Sequence, residues 1–496
     1  MVILVFFLVL PLFFLSLLQK LRLNRNISLP PGPRGLPLIG NLLQLGNSTS
    51  LHRCLWQLSQ KYGPLMSLQL GFRPTLVVSS AKMAKEVMKT QDLIFSSRPT
   101  LVSQRKMSYD NLDLAFAPSN DSWREMRKIS VIHLFSSSRV QQFRPIREEE
   151  VSRMIENISK SSVASKPINL SLLITTLTNT LICRVAFGKR FEESIVGNRF
   201  GRLLDETEAM LVGFFWSDYF PFMGWVDRFT GMHTSLEKIF KEMDEVYQEL
   251  IDDHLDPNRP RSEQEDTLDI FLQILRNREL KVELSWNQIK AMLMNIFVAG
   301  TNTSAATIIW VMTFLMKNPI AMKKAQEEVR NLTGTKGFVN EDDIPSLHYL
   351  KAIVKETLRL QPALPSLLPR ETTQKCNIGG YEVPAKTLVY VNAWAIGRDP
   401  EAWDNTEEFN PDRFIGNSID LKGKDFELTP FGAGRRICPG ISMGILNVEL
   451  ALANLLYKFD WKMPAGMKKE DLDFDEFPGL TVRKKNALYL VCENYI

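Results

Sequence analysis

The sequence predicts a mainly α-helical body with small β-sheets, preceded by one membrane-spanning helix. Three observations carry this. Residues 2–18 are apolar and carry no charge. Helical periodicity dominates from about residue 81 to 360, and short β-rich stretches flank it near 64–79 and 376–392.

The N-terminal run would span roughly 25 Å as a helix, enough for a thin bilayer. Lys20, Arg22 and Arg25 follow it at once, which puts that end in the cytosol. A cleaved signal peptide would want a basic start and a small-residue cleavage site, and neither is present. The expected organisation is an anchor over 1–19, a basic and Pro-rich hinge over 20–40, and one large domain over 41–496. The hinge contains Leu-Pro-Pro-Gly-Pro at 29–33, a run stiffened by proline.

The two early strands are expected around Gly71-Phe72-Arg73, and a later pair around Gly379-Gly380. The longest helix is expected over 286–317, roughly 48 Å. Ser285 and Gln288 form a capping box, and Asn318-Pro319 stops the helix. Its polar centre, Ala-Gly-Thr-Asn-Thr-Ser at 299–304, argues for a central buried helix and against a second membrane span. The formal net charge is +4, from 60 basic and 56 acidic residues, a balance that offers nucleic acid nothing. The five cysteines are scattered and fit a reducing compartment.

Cys438 is the residue with chemistry. It lies in Phe-Gly-Ala-Gly-Arg-Arg-Ile-Cys-Pro-Gly at 431–440, with no second Cys or His at zinc-ligand spacing. A single axial thiolate on haem iron favours O–O cleavage. Gly434 and Gly440 are expected to let the loop turn tightly beside a flat ligand. A buried structural cysteine in a glycine turn is the plainer alternative for an isolated thiol.

Phe431, Gly434, Arg436, Cys438 and Gly440 resemble the haem-binding signature of the cytochrome P-450 family. Further resemblances follow in family order. Trp123 and Arg127 are similar to its propionate-binding Trp-x-x-x-Arg helix. Ala299, Gly300, Thr303 and Ser304 are similar to its oxygen-binding groove, and Asn302 stands where the family usually has an acid. Glu356 and Arg359, with Arg413 in Phe-Asn-Pro-Asp-Arg-Phe, resemble its Glu-x-x-Arg network. The wording of several stretches resembles plant microsomal members of the family-71 clan.

The resemblance implies a P-450 fold and haem b with the Cys438 thiolate as axial ligand. Its propionates are expected at Trp123, Arg127 and Arg436, with Arg370 and Arg98 as further candidates. The implied activity is oxidation of a small hydrophobic specialised metabolite with O2. The implied electron donor is an NADPH-dependent cytochrome P-450 reductase. Arg124, Lys128, Lys422, Lys424 and Arg435 read either as a basic docking face for an acidic partner or as solvated surface charge. The implied location is the endoplasmic reticulum membrane, single-pass, with the catalytic domain cytosolic. By family position the substrate wall is expected at 100–120, 203–212, 297–304, 363–368 and 477–482. Its named residues are Leu101, Phe116, Phe297, Ala299, Ala363, Leu364, Leu367, Leu368 and Leu480. Gly300, Asn302 and Thr303 are the expected catalytic stretch. Asn302 hydrogen-bonds but cannot titrate, so a haem isomerase or dehydratase is an alternative, as is a haem protein without turnover.

Overall fold

The computed structural model describes residues 28–46, 50–162, 166–190, 197–259, 264–277 and 284–495. The expected anchor and the first part of the hinge lie outside them. Strands β1 (Leu65–Leu70) and β2 (Arg73–Val78) form the early hairpin. Helices α1 (Asp121–Ile129), α2 (Leu170–Phe187), α3 (Gly197–Leu211), α4 (Trp286–Gly300), α5 (Asn302–Lys317) and α6 (His348–Leu360) follow. Then come β3 (Arg370–Glu371), β4 (Cys376–Ile378), β5 (Tyr381–Val383), β6 (Leu388–Val391) and α7 (Ile441–Lys458).

The first sheet runs β1-β2-β6-β3, with β6 parallel to β2 and the other pairs antiparallel. β4 and β5 pair across Gly379 and Gly380, both at positive φ (59° and 84°), as a two-glycine hairpin turn requires. A further three-stranded sheet joins Ile168–Asn169, Tyr489–Asn494 and Phe459–Lys462, pinning the C-terminal segment to the start of α2.

The helical core is centred on α5. Ser304–Met316 is buried without a break, among α2, α6 and α7. Each fully buried Leu, Ile or Met there contributes roughly 1.5–3 kcal/mol. Two stretches are long and apolar enough to cross a membrane, Leu170–Phe187 and Trp286–Lys317, and they are 67% and 78% buried inside the protein. They are core helices.

The single helix expected over 286–317 is two. Its start is as expected, with Ser285 and Gln288 closing a reciprocal capping box. It breaks at Thr301 (φ −85°, ψ −74°), whose hydroxyl donates to the Phe297 carbonyl at 2.8 Å. A Gly-Thr pair weakens a helix locally, and hydroxyl back-bonding bends it. The proline-rich segment is not a free spacer along its described part. Ser67 donates its N–H to Pro31 O (2.9 Å) and its hydroxyl to Pro30 O (2.6 Å), so residues 30–31 lie along β1.

Candidate active site

A cavity of about 290 Å³ lies between α4, α5 and the start of α7. Its floor is the loop 430–440, and Cys438 is the one cysteine among its described lining residues. Local geometry sets the thiol. Cys438 N–H donates to Phe431 O at 3.0 Å, and a 3-10 turn over Gly434–Arg436 precedes it. Gly434 requires its lack of a side chain twice over: φ is +69°, and a Cβ would sit 2.1 Å from Met88 O. Gly440 has no such need, because its φ is −88° and a Cβ would meet only Phe135 at 3.8 Å. Its use is its N–H, which points at the Cys438 sulfur. Burial pushes the thiol up, while that N–H and the Arg127 guanidinium pull it down.

Arg98, Arg127, Arg370 and Arg436 converge on the same cavity. Backbone carbonyls hold them. Arg436 donates to Ser96 O (2.7 Å), Ala117 O (2.6 Å) and Leu114 O (3.3 Å), and stacks 3.8 Å over the Trp123 ring. Arg98 donates to Ala115 O, Leu368 O and Pro369 O, Arg127 to Ile437 O, and Arg370 to Ala433 O. Burial, then the neighbouring Arg436 and Arg370, hold Arg98 well below its usual value. Burial with Arg370 beside it brings Arg436 down to about 9. Trp123 shapes this cluster from behind: its indole N–H is taken by Leu114 O at 3.0 Å, and the ring is off the cavity wall.

Behind the loop, Glu356 and Arg359 of α6 are fully buried and joined by two 2.8 Å bonds. Arg413 Nε adds a third bond to Glu356 at 3.1 Å, and the Asn410 N–H a fourth at 2.8 Å. Arg359 spends its remaining donors on the carbonyls of Gly397, Thr406 and Glu408. Arg359 from α6 itself and Asn410 and Arg413 from the following stretch share one carboxylate, which ties α6 to the meander at 397–413.

On the opposite wall, Phe116, Ala299, Gly300, Thr303, Ala363, Leu364, Leu367, Leu368 and Leu480 line the cavity. Thr303 donates its hydroxyl to Ala299 O at 2.6 Å. Gly300 is also a packing glycine: a Cβ would fall 2.5 Å from Ile182 Cδ1 of α2. Four expectations need correction. Phe297 is fully buried away from the cavity, stacked on Phe187 at 4.8 Å, because it lies on the face of α4 turned to α2. Leu101 is the half-buried residue before helix Val102–Met107 and is off the wall. No residue of 203–212 lines the cavity, since Leu203 and Leu204 of α3 point into the core. Asn302 faces away too, toward Glu208 of α3.

The structure adds residues that sequence patterns did not mark. Asp113, fully buried, accepts from the N–H groups of Ala115 and Phe116 and from Asn295 Nδ2 at 2.8 Å. Asn295 Oδ1 in turn accepts from the N–H groups of Leu114 and Ala115. This lock holds loop 113–117 against α4 and over the cavity. A lone asparagine in the apolar run 291–299 was the available signal for it.

A family model described as cytochrome P-450 matches residues 30–491. The chain is 52% identical over 479 residues to a 5-OH-xanthotoxin synthase of Pastinaca sativa, covering 95% of this chain and 94% of that protein. It is 51% identical over 479 residues to a 6,7,8-trihydroxycoumarin synthase of the same plant, with the same coverage. It is 49% identical over 486 residues to cytochrome P-450 71A9 of Glycine max, covering 97% and 96%. A zebra fish cytochrome P-450 solved with abiraterone superposes with a TM-score of 0.74 at 24% identity, over 90% of this chain and all of that one, and so shares the fold.

The fold and site define a haem-thiolate oxidoreductase. The chain belongs to the cytochrome P-450 family and is a family-71-type plant monooxygenase. Such enzymes bind haem through an axial cysteine thiolate. The donor set fits that group. Buried guanidiniums with only Asp92 and Asp113 as nearby carboxylates among the described residues suit a ligand that brings carboxylates of its own, and haem carries propionates.

Proposed function

We propose that this enzyme is a membrane-anchored monooxygenase that hydroxylates a coumarin-type metabolite, with electrons from an NADPH-dependent cytochrome P-450 reductase. The observation that carries the reading is one cavity that joins the Cys438 thiol, a buried arginine cluster and the Thr303 groove under an apolar wall. Cys438 would hold the iron, and Arg98, Arg127, Arg370 and Arg436 the propionates. Bound haem supplies dioxygen activation. Thr303 keeps a hydroxyl proton on the cavity wall, and Phe116, Ala299, Leu364, Leu367 and Leu480 orient a flat substrate and exclude water. The relatives named for xanthotoxin and trihydroxycoumarin chemistry support the substrate class.

The reductase reading draws on the outer face of the Cys438 loop. Arg124, Lys128, Lys422, Lys424 and Arg435 are exposed there, a basic surface suited to an acidic partner. The anchor reading draws on the uncharged run at 2–18 and the basic residues after it. It puts the enzyme in the endoplasmic reticulum membrane as a single-pass protein with its body in the cytosol.

The test uses full-length protein in microsomes with reductase. The reduced, CO-bound enzyme should give the thiolate-haem absorption band, and Cys438→Ser should abolish it while far-UV circular dichroism is kept. Xanthotoxin and hydroxycoumarins are then offered with labelled O2. One labelled oxygen in the product is expected. An unlabelled, rearranged or dehydrated product would sink the monooxygenase reading in favour of haem isomerase chemistry.

A further inference from the structure

Glu208 of α3 is 2% exposed and, among the described residues, has no cation in salt-bridge contact. It accepts one hydrogen bond of ordinary geometry, from the Thr481 hydroxyl, Oγ1 to Oε1 at 3.2 Å. Thr481 is itself 1% exposed and stands on the wall of the cavity that holds Cys438 and Thr303. The other neighbour of Glu208 is Asn302, the first residue of α5. The Asn302 amide nitrogen is buried and lacks a partner of ordinary hydrogen-bond geometry among the described residues. It sits near enough to Glu208 to favour the ionised carboxylate. Toward solvent, Asp205 lies one turn earlier on α3 and pairs with Arg483 at 2.8 Å, with side chains 58% and 27% exposed. Among the described residues, Asn302, Thr481, Arg483 and Asp205 are the polar and charged groups that act on Glu208.

A carboxyl buried without an ion-pair partner is costly as a mere tie between segments, a task an amide would do. Burial pushes Glu208 up to about 7, against the pull of Asn302, Arg483 and Thr481. An acid in that range is part-protonated at neutral pH, where proton transfer works best in both directions. Monooxygenation consumes protons as it makes water, and Asn302 cannot provide them.

We propose that Glu208 supplies protons to the cavity through Thr481, with Asn302 as the residue that positions it. When Glu208 is protonated the bond reverses: the Thr481 hydroxyl turns to the cavity, Glu208 donates to Thr481 Oγ1, and the O–H of Glu208 breaks as an O–H forms on Thr481 Oγ1. Thr481 passes its own proton to the acceptor in the cavity. The Glu208 carboxylate regains a proton from water at the Asp205–Arg483 surface, and no electrons move. The inference rests on the cavity being the oxygenation site.

The test compares wild type, E208Q, E208D and E208Q/N302D as full-length haem-loaded protein. Infrared difference spectra against E208Q should show a carboxylic C=O band in wild type that titrates near pH 7. With reductase and NADPH, E208Q should lower the rate of product formation by on the order of 10²-fold, and lower product per NADPH with the lost electrons appearing as hydrogen peroxide. E208D should recover part of this, and E208Q/N302D should recover part by returning an acid to the same locus. Absence of the titrating band overturns the proposal. So does E208Q with unchanged peroxide release and a raised KM, which would mark a substrate contact, or E208D no better than E208Q, which would mark a packing role. Loss of the thiolate-haem band in wild type would instead remove the cavity reading beneath it, and the infrared titration would still report the Glu208 proton.

Discussion

Replacing Glu356 by glutamine keeps the side chain's volume and removes its charge. In the native protein that carboxylate accepts four bonds: two from Arg359, one from Arg413 and one from the Asn410 N–H. Glutamine can offer one acceptor, and it turns an NH2 group onto a guanidinium. Breaking a buried ion pair from one side costs about 3–5 kcal/mol, because the partner charge stays buried. The unfolding entropy of roughly 2.1 cal/mol/K per residue amounts to about 1 kcal/mol/K for a chain of 496 residues. E356Q should therefore melt about 3–5 °C lower.

The assay is thermal melting at a fixed scan rate by far-UV circular dichroism, with haem retention followed in the same sample. Fixed rate matters because a protein of this size unfolds irreversibly on heating. The control is E493Q, which removes a carboxylate from an ion pair with Lys462 whose side chains are 56% and 57% exposed. It should leave the midpoint within scatter. Arg413 is 12% exposed and gives Glu356 a single bond, so R413Q should fall between the two. An E356Q midpoint no lower than that of E493Q would refute the reasoning, since it would mean that the network binds nothing the fold needs.

Three further outcomes follow from the same geometry. Glu476 is 4% exposed at its side chain; burial raises it, but His52 and Arg53 outweigh burial and hold it well below the usual carboxylate range. A depressed folded value adds stability that is present above the unfolded value of about 4.3 and is lost as pH falls below it toward the folded value. Wild type should lose urea resistance below about pH 4.3 more steeply than E476Q, and parallel acid limbs would contradict this. Gly300→Ala should push Ile182 toward the cavity and weaken substrate binding in a spectral titration by about tenfold, near the low end of the overpacking range; G300A/I182A should recover it, and unchanged binding in G300A would contradict the crowding. Arg436→Leu removes three carbonyl partners and the Trp123 stack, so the purified protein should lose most of its haem at equal expression, and full haem content would remove Arg436 from the cluster.

The local features were legible in the sequence because their causes are local. The Ser285–Gln288 cap, the Gly379-Gly380 hairpin and the turn at Gly434 each depend on residues within a few positions of one another. The Glu356–Arg359–Arg413 site spans nearly sixty residues, and order along the chain, not spacing, brought it into view. The strand Tyr489–Asn494 had no such signal, since its pairing with Ile168–Asn169 and Phe459–Lys462 is a tertiary event. The break at Thr301 was hidden by continuous helical composition on both sides.

The distal wall resisted reading for a different reason. Phe297 and Ala299 are both apolar and two residues apart on α4, yet one stacks on Phe187 and the other lines the cavity. Helical geometry turns the second about 200° from the first, so composition cannot separate them without the helix's rotation. That rotation is set by what α4 buries on its far side, chiefly Phe187 and Tyr247. The same logic applies at 302. Asparagine there read as a lost acid because the sequence shows the position but not its neighbour. Glu208 lies on α3, nearly a hundred residues upstream, in a segment expected to touch substrate. A distal chemistry inferred from one helix is therefore incomplete. Its titratable group belongs to the helix packed against it.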